Sequence, residues 1–211
     1  MSPIAEPDSV DRRTRVAKKN NSPKGILISL RKLARDRRAV SAIEFALVFP
    51  LMAALFLGGT ALTQGIVIKR KVTLATRTVG DLTSQDSCVT NDEMTNVFTA
   101  ATAVFQPYSP NSMTLTVTSL NVDKDGNATV EWSDKTVNGG ARETGRSTGS
   151  TYPLPDGVNT PNTHVILAEG SYTYTPIVST SFMTTVPLSE TFYLRPRRVQ
   201  TITRVATTCP T

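Results

Sequence analysis

The sequence predicts an α+β fold, in which an N-terminal transmembrane helix continues as an amphipathic stalk and is followed by a helix and an antiparallel β-sheet domain. Three observations predict it. The segment from Phe45 through Leu62 carries no charged residue. After Cys88, apolar residues recur at three- and four-residue spacing, which is typical of a helix. From Met113 they alternate with threonine, which is typical of half-buried strands.

The apolar segment is long enough to cross a bilayer, which takes about 18 to 20 residues. A signal peptide would have an apolar core of only ~7 to 15 residues followed by a cleavage site of small residues. Here the segment runs on to Ile68 and meets Lys69-Arg70-Lys71. We therefore predict a retained transmembrane helix over residues 39–68, and such helices tolerate a proline like Pro50.

Orientation follows from the basic residues on the two sides of the span, because eleven precede it and only four lie in the twenty residues that follow it. The positive-inside rule places the N-terminus in the cytoplasm and exports residues 69–211 as a stalk plus α+β domain. The net charge of +6 could also suggest nucleic acid. The excess lies beside the membrane, however, and not on a folded domain, so we expect contacts with inner-membrane lipids and no nucleic-acid binding.

Two zones precede the span. Residues 1–23 are polar and contain three prolines without hydrophobic periodicity, which predicts a disordered cytoplasmic tail. Residues 24–38 form a basic juxtamembrane segment, in which Ile26, Leu27 and Leu30 lie opposite basic side chains at helical spacing. This pattern predicts an amphipathic helix on the inner leaflet, and its alternative is a frayed flank of the span.

Beyond the span, two helical stretches are expected. The stalk should continue to about Gln85 with an apolar face of Val72, Ala75, Val79 and Leu82, while Thr73, Thr76, Arg77 and Asp81 face elsewhere. A second helix should start at a cap formed by Thr90 or Asn91, with Glu93 completing a capping box. Its apolar stripe is interpreted as core, and Pro107 and Pro110 should end it.

The strand region is predicted to begin with a hairpin. Residues 113–122 and 128–132 alternate around Asp125-Gly126, with a bulge near Ser119. Its acidic turn superficially resembles a calcium loop, but the glycine is displaced and the bidentate glutamate is missing, so a plain turn is favoured and no metal or cofactor is expected. Residues 133–161 are predicted to be an exposed loop. Further strands are expected at 164–177 and 188–202, the latter interrupted by Arg195-Pro196-Arg197-Arg198.

The two cysteines, Cys88 and Cys209, both lie on the exported side. An even pair in an oxidising compartment predicts a disulfide, which would close nearly the whole exported domain and stabilise it by about 4 to 5 kcal/mol in the chain-entropy model. The alternative is two free thiols, because sequence does not give the distance between their Cα atoms.

These motifs, in their order along the chain, resemble the TadE-like minor pilins of the tight-adherence (Flp) type IV pilus. The resemblance rests on AVSAIEFALVFPLMAALFLGG, then TVGDLTSQ, TVEWS, SYTYTPIV and LRPRR. It implies a pilin-like, inner-membrane pseudopilin with a periplasmic C-terminal domain. It also implies a role in pilus assembly or initiation, with other pilins, assembly platform proteins and a prepilin peptidase as partners.

The resemblance also implies a processing site. Cleavage between Ala39 and Val40 would make Glu44 the fifth residue of the mature chain, followed by Phe45. The usual glycine before the cleaved bond is replaced here by Ala39. The pilin-type acid Glu44 would then pair with the new α-ammonium of Val40 or with a neighbouring subunit. The alternative is that Glu44 reaches toward the headgroups near Arg37 or Arg38.

Three classes of function compete. A non-catalytic assembly protein is favoured. An anchored enzyme is disfavoured, because His164 is the only histidine, has no nameable nucleophile beside it, and no G-x-S-x-G, H-E-x-x-H or phosphate-loop pattern occurs. The third class is a membrane-anchored binding or sensing module unrelated to pili, in which Tyr152, Tyr172 and Tyr174 would contact a ligand.

Overall fold

The computed structural model describes residues 37–176 and 185–210. The chain divides into two units, residues 1–54 and 55–211. The predicted cytoplasmic tail and all of the juxtamembrane segment except Arg37 and Arg38 lie outside the described residues. So does Ile177, the last residue of one predicted strand.

The first helix, α1, is Arg37–Gln85, a continuous helix of 49 residues. It ends where the sequence predicts the stalk to end. Within the stalk, Val72, Ala75 and Val79 are fully or almost fully buried, as predicted. Thr76 corrects the prediction, because it is fully buried too. Its hydroxyl donates to the Val72 carbonyl oxygen at 2.8 Å, which satisfies the buried polar group within the helix.

The second helix, α2, is Asn91–Val104, and its capping box is formed as predicted. The Glu93 backbone N–H donates to Thr90 Oγ1 at 3.2 Å, and the Thr90 N–H donates to the Glu93 carboxylate at 2.8 Å. At the other end, Lys71 Nζ donates to the Val104 carbonyl at 3.0 Å. A cation is favourable at a helix C-terminus, so α1 stabilises the end of α2.

The described strands form two sheets. The strands are β1 Cys88–Val89, β2 Met113–Val122, β3 Ala128–Val137, β4 Arg142–Thr144, β5 Thr151–Tyr152, β6 Thr163–Tyr174, β7 Val186–Leu194 and β8 Thr203–Arg204. A six-stranded antiparallel sheet has the order β4-β3-β2-β6-β7, with β5 also paired to β3, and a small parallel pair joins β1 and β8. This arrangement confirms the α+β fold.

The predicted bulge lies where the β2–β3 register shifts. Ser119 pairs with Trp132, but Leu120 pairs with Val130, so the extra residue is Glu131 on β3 and not a residue of β2. A bulge puts two residues of one strand opposite one of the other. It therefore turns Trp132 and Val130, two positions apart, to opposite faces of the sheet.

The sheet has a core on each face. Both helices cover one face, where they pack with residues that include Met113, Leu115, Val117 and Trp132. The opposite face carries a smaller cluster under the chain near Tyr152, formed by Leu120, Val122, Ala128, Val130, Val165 and Leu167. The apolar residues of β2 therefore change face along the strand. Those of its first half face the helices, and those of its second half face the cluster near Tyr152.

Residues 133–161 are not only loop, which corrects the prediction. β3 continues to Val137, and β4 and β5 pair with it within this segment. These short strands carry few apolar residues, so their sequence resembles a loop, and they form because β3 offers its free edge. Farther along, β7 ends at Leu194, so Pro196 lies beyond the strand.

Candidate functional site

The exposed apolar half of α1, residues 40–60, is the feature that most needs a partner. Phe45 is 67% exposed and Leu47 is 74% exposed, and apolar side chains on every side of the helix are similarly open. Contiguous exposed apolar surface of this size marks a membrane or protein contact. By length and composition, this is the one helix among the described residues that could cross a membrane.

The predicted processing site and acid lie at the start of this half. The bond between Ala39 and Val40 is in the first described turn of α1, and Glu44 is exposed. Val40 and Glu44 share a helix face, since they are four residues apart. The Phe45 ring lies 5.5 Å from the ring of Phe49. Cleavage and the role of Glu44 stay predictions.

The later part of α1 packs on the sheet from Ala61 onward. The Tyr174 hydroxyl donates to the Ala61 carbonyl at 3.1 Å, and Ile68 is buried. Farther along, Lys69 Nζ lies 2.6 Å from the Glu190 carboxylate, which also accepts from Thr73. The hydrogen bond from Lys69 lowers the pKa of Glu190, against the opposing effect of burial.

Two of the motifs that suggested the family meet in space. In TVGDLTSQ, a Cβ on Gly80 would lie 2.6 Å from Leu194 Cδ1, so only glycine lets α1 approach β7 this closely. The next residue, Asp81, accepts a hydrogen bond from Arg197 of the LRPRR motif at 2.9 Å. The Arg197 backbone N–H also donates to the Ser84 carbonyl at 2.9 Å. The arginine motif therefore ties the chain after β7 to the end of α1.

The C-terminal chain is fastened to the domain by a set of contacts that we call the C-terminal clasp. The structure contains a disulfide between Cys88 and Cys209, in agreement with the prediction, and β1 pairs with β8 beside it. The Trp132 indole N–H donates to the Ile202 carbonyl at 2.9 Å.

Sequence reasoning missed the charged centre of this clasp. Asp134 is buried, with a side chain only 5% exposed, and it accepts from Arg204 Nε at 2.7 Å and also from Arg142. Arg204 donates further to the Val89 carbonyl and to Asn91 Oδ1. Asp134 lies two residues past Trp132 on β3. Only its burial would have marked it as the centre of an ion-pair cluster, and burial of a single acidic residue cannot be seen in the sequence.

His164 lies on β6, and its side chain meets neighbouring segments of the chain. The Thr201 hydroxyl lies 2.9 Å from His164 Nε2, and Glu131 Oε1 lies 3.2 Å from Nδ1 without forming a hydrogen bond. The other carboxylate oxygen of Glu131 accepts from Ser119 at 2.7 Å. These contacts hold the chain around Thr201 against β6 and β3, so we interpret them as structural.

The three tyrosines considered for ligand binding do not converge. Tyr172 and Tyr174 belong to the helix-covered face, where the Tyr172 ring packs 4.8 Å from Phe105. Tyr152 packs against the cluster on the opposite face. Burial and a hydrogen bond with Tyr193 raise the pKa of Tyr152 to about 12.

The acidic turn between β2 and β3 is closed by its own hydrogen bonds. The Asp123 carboxylate accepts from the backbone N–H groups of Asp125 and Asn127 at 2.9 and 2.8 Å. The bonds from Asn127 lower the pKa of Asp123. Over the residues that the structure describes, no group of three or more acidic, histidine or cysteine side chains could hold a metal ion.

Fold and site together define a class of protein. One long apolar helix near the N-terminus, followed by an α+β domain, fits a single-pass membrane protein. Residues 39–81 match the family described as TadE-like protein, which confirms the predicted resemblance over this segment. The match supports a membrane protein associated with the Tad (Flp) pilus. None of the curated proteins and none of the solved structures matches the chain.

Proposed function

We propose that this protein is a non-catalytic, minor pilin-like component that acts in the assembly or initiation of a tight-adherence pilus. The observation that carries the proposal is the coincidence of the TadE-like match at residues 39–81 with the exposed apolar half of α1. The first half of the matched segment, residues 40–60, must find a partner outside the described part of the chain, since its apolar side chains are exposed.

The proposed mode of action is lateral packing of α1 against the helices of other pilins in the inner membrane. Gly58 and Gly59 support it, because a Cβ on either residue would meet no atom within 4 Å apart from the neighbouring backbone of the helix itself. Small residues let two helix backbones approach closely inside a bilayer, where van der Waals packing drives association. The distribution of basic residues supports a cytoplasmic N-terminus and a periplasmic domain.

Glu44 is the residue that we propose to select the partner. An unpaired carboxylate within the apolar part of a span costs several kcal/mol, so it needs a cation or a hydrogen-bond donor. A cleaved neighbour, or the chain's own Val40 after cleavage, would offer an α-ammonium. We propose the pilus assembly platform and the prepilin peptidase as further partners, because the TadE-like match supports association with pilus components.

The test is a Glu44→Gln variant in cells that assemble the pilus, with Glu143→Gln on the exposed strand β4 as the matched control. We expect Glu44→Gln to reduce recovery of pilin subunits with the tagged protein about tenfold, the effect of losing ~1.4 kcal/mol. The control should behave as wild type. Unchanged recovery and unchanged pilus assembly in the Glu44 variant would contradict the proposal.

Processing is tested separately by mass spectrometry of the mature N-terminus, with and without the prepilin peptidase. A start at Val40 only when the peptidase is present would establish a processed pseudopilin. An intact chain in both samples would leave an unprocessed assembly factor and remove the α-ammonium of Val40 as the partner of Glu44.

A further inference from the structure

We propose that a groove between α1 and the end of the sheet binds one acyl chain of a membrane phospholipid, with the phosphate held by Arg70. The groove has a volume of about 450 Å³ and is lined mainly by Leu62, Gly65, Ile66, Tyr174, Val186 and Leu188. Ligand sites in proteins commonly measure roughly 300 to 1,000 Å³ and are predominantly apolar. This groove fits that description, but it is open at the protein surface.

The position of the groove along α1 points to lipid. At a rise of about 1.5 Å per residue, some 20 residues of helix cover the hydrocarbon core. Counted from Val40, that length ends near Thr60. The groove begins one residue later, at Ala61, and therefore lies where the acyl chains meet the headgroups on the exported side. Leu62 and Ile66 are exposed there, on the same helix as the apolar side chains of the span.

The charge at one end of the groove points to an anion. Lys69 and Arg70 both line it. Lys69 is engaged by Glu190 and by the Ser189 carbonyl. Arg70 is exposed and has no ion-pair partner among the described residues. A guanidinium binds a phosphate through two parallel hydrogen bonds. An apolar groove with a free arginine at its end matches a ligand with an apolar tail and a phosphate.

The groove owes its space to a glycine on α1. Its floor is open because Gly65 has no side chain, and a Cβ there would already lie 3.5 Å from the Tyr174 ring. The Tyr174 ring is fixed by its hydrogen bond to the Ala61 carbonyl, so it does not swing away freely.

The experiment uses the full-length protein in phosphatidylethanolamine vesicles that contain a photoactivatable phosphatidylglycerol with a diazirine on one acyl chain. After illumination, labelled residues are located by mass spectrometry. Labelling at Leu47 and Leu51, which are exposed on the apolar half of α1, serves as the internal reference. We expect labels on Val186 or Leu188, which lie on β7 and not on the span.

Two variants distinguish a lipid bound in the groove from a bulk lipid that touches β7 at random. Gly65→Leu should fill the groove and reduce the relative labelling of β7 about fivefold, whereas Ala54→Leu on the exposed half of the same helix should leave it unchanged. Arg70→Gln alters no packed side chain and should reduce the labelling about threefold, through loss of the phosphate contact. If Gly65→Leu disturbs folding, Arg70→Gln still tests whether the lipid is bound in the groove.

Three results would overturn the proposal. The first is an unlabelled β7 in the wild-type protein. The second is labelling of β7 that neither Gly65→Leu nor Arg70→Gln reduces, because the lipid would then lie outside the groove. The third is protein-to-protein cross-linking from a photoactivatable residue placed at Leu62 or Ile66, which would assign the groove to a second copy or another subunit.

Discussion

The two halves of α1 are both rich in apolar residues, yet they lie in opposite surroundings. Residues 40–60 expose theirs on every side, whereas Val72 and Ala75 in the second half are fully buried. The difference follows from how the apolar residues are distributed around the helix in each half. The second half is apolar on one face only and packs that face on the sheet. The first half has no polar face and needs apolar surroundings that the described part of the chain does not supply.

The largest effect should come from placing a charge in the buried face. Val72→Asp puts an unpaired carboxylate into the helix-covered core and should destabilise the exported domain by about 4 kcal/mol or more. Leu74→Asp, on the exposed side of the same helix, is the control and should cost less than about 1 kcal/mol. Thermal unfolding of the full-length protein in detergent measures both. Equal effects would show that the second half does not pack as described.

The charged centre of the C-terminal clasp gives the next largest effect. Asp134→Ala leaves Arg204 without its carboxylate in a site where its side chain is 12% exposed. Breaking a buried ion pair by removing one partner costs about 3 to 5 kcal/mol. Glu143→Ala removes the exposed partner of Lys135 and should change stability by less than about 1 kcal/mol. Denaturant unfolding of the two variants side by side measures the difference, and similar midpoints would refute the buried clasp.

Glycine-to-alanine changes compare the two halves directly. Gly80→Ala places a Cβ 2.6 Å from Leu194 Cδ1 and 3.0 Å from the Ala168 Cβ, so it should cost about 1 to 3 kcal/mol. Gly59→Ala meets nothing within 4 Å and should be neutral or slightly stabilising, since alanine favours a helix. Protease resistance of the membrane-inserted variants reports the contrast. If Gly80→Ala is as resistant as Gly59→Ala, the close approach of α1 to β7 is wrong.

The smallest effect is a pH dependence at the start of the second half. The pKa of Glu190 is lowered from its ordinary value near 4.5, chiefly by the hydrogen bond from Lys69. A lowered carboxyl pKa stabilises the fold above the ordinary value, and this stabilisation is lost as the pH falls through the folded-state pKa. Because the pair is partly exposed, its contribution should stay below about 1 kcal/mol.

The measurement is the stability of Glu190→Gln relative to wild type between pH 7 and pH 3. The deficit of the variant should be present at pH 7 and should disappear at the acidic end. A constant deficit over the whole range would mean that the charge of Glu190 contributes nothing.

Sequence patterns predicted the helices well because helix signals are local. The Thr90 and Glu93 capping box and the end of the stalk at Gln85 each depend on a few neighbouring residues. The Glu131 bulge and the pairing of Asp134 with Arg204 depend on strand register and on chain ends brought together by folding. Short periodic patterns placed the bulge near Ser119, where the register shifts, but they do not identify Glu131 as the extra residue, and they missed the charged centre of the clasp.

The most direct test of the contrast between the halves is the depth of spin labels along α1, by power-saturation electron paramagnetic resonance in lipid vesicles. Labels are placed singly at Leu47, Leu55, Leu74 and Arg77, all of which are exposed. We predict that the first two are accessible to oxygen and shielded from a water-soluble nickel complex, and that the last two are accessible to the nickel complex. Equal access of nickel to Leu47 and Leu74 would contradict a membrane-embedded first half.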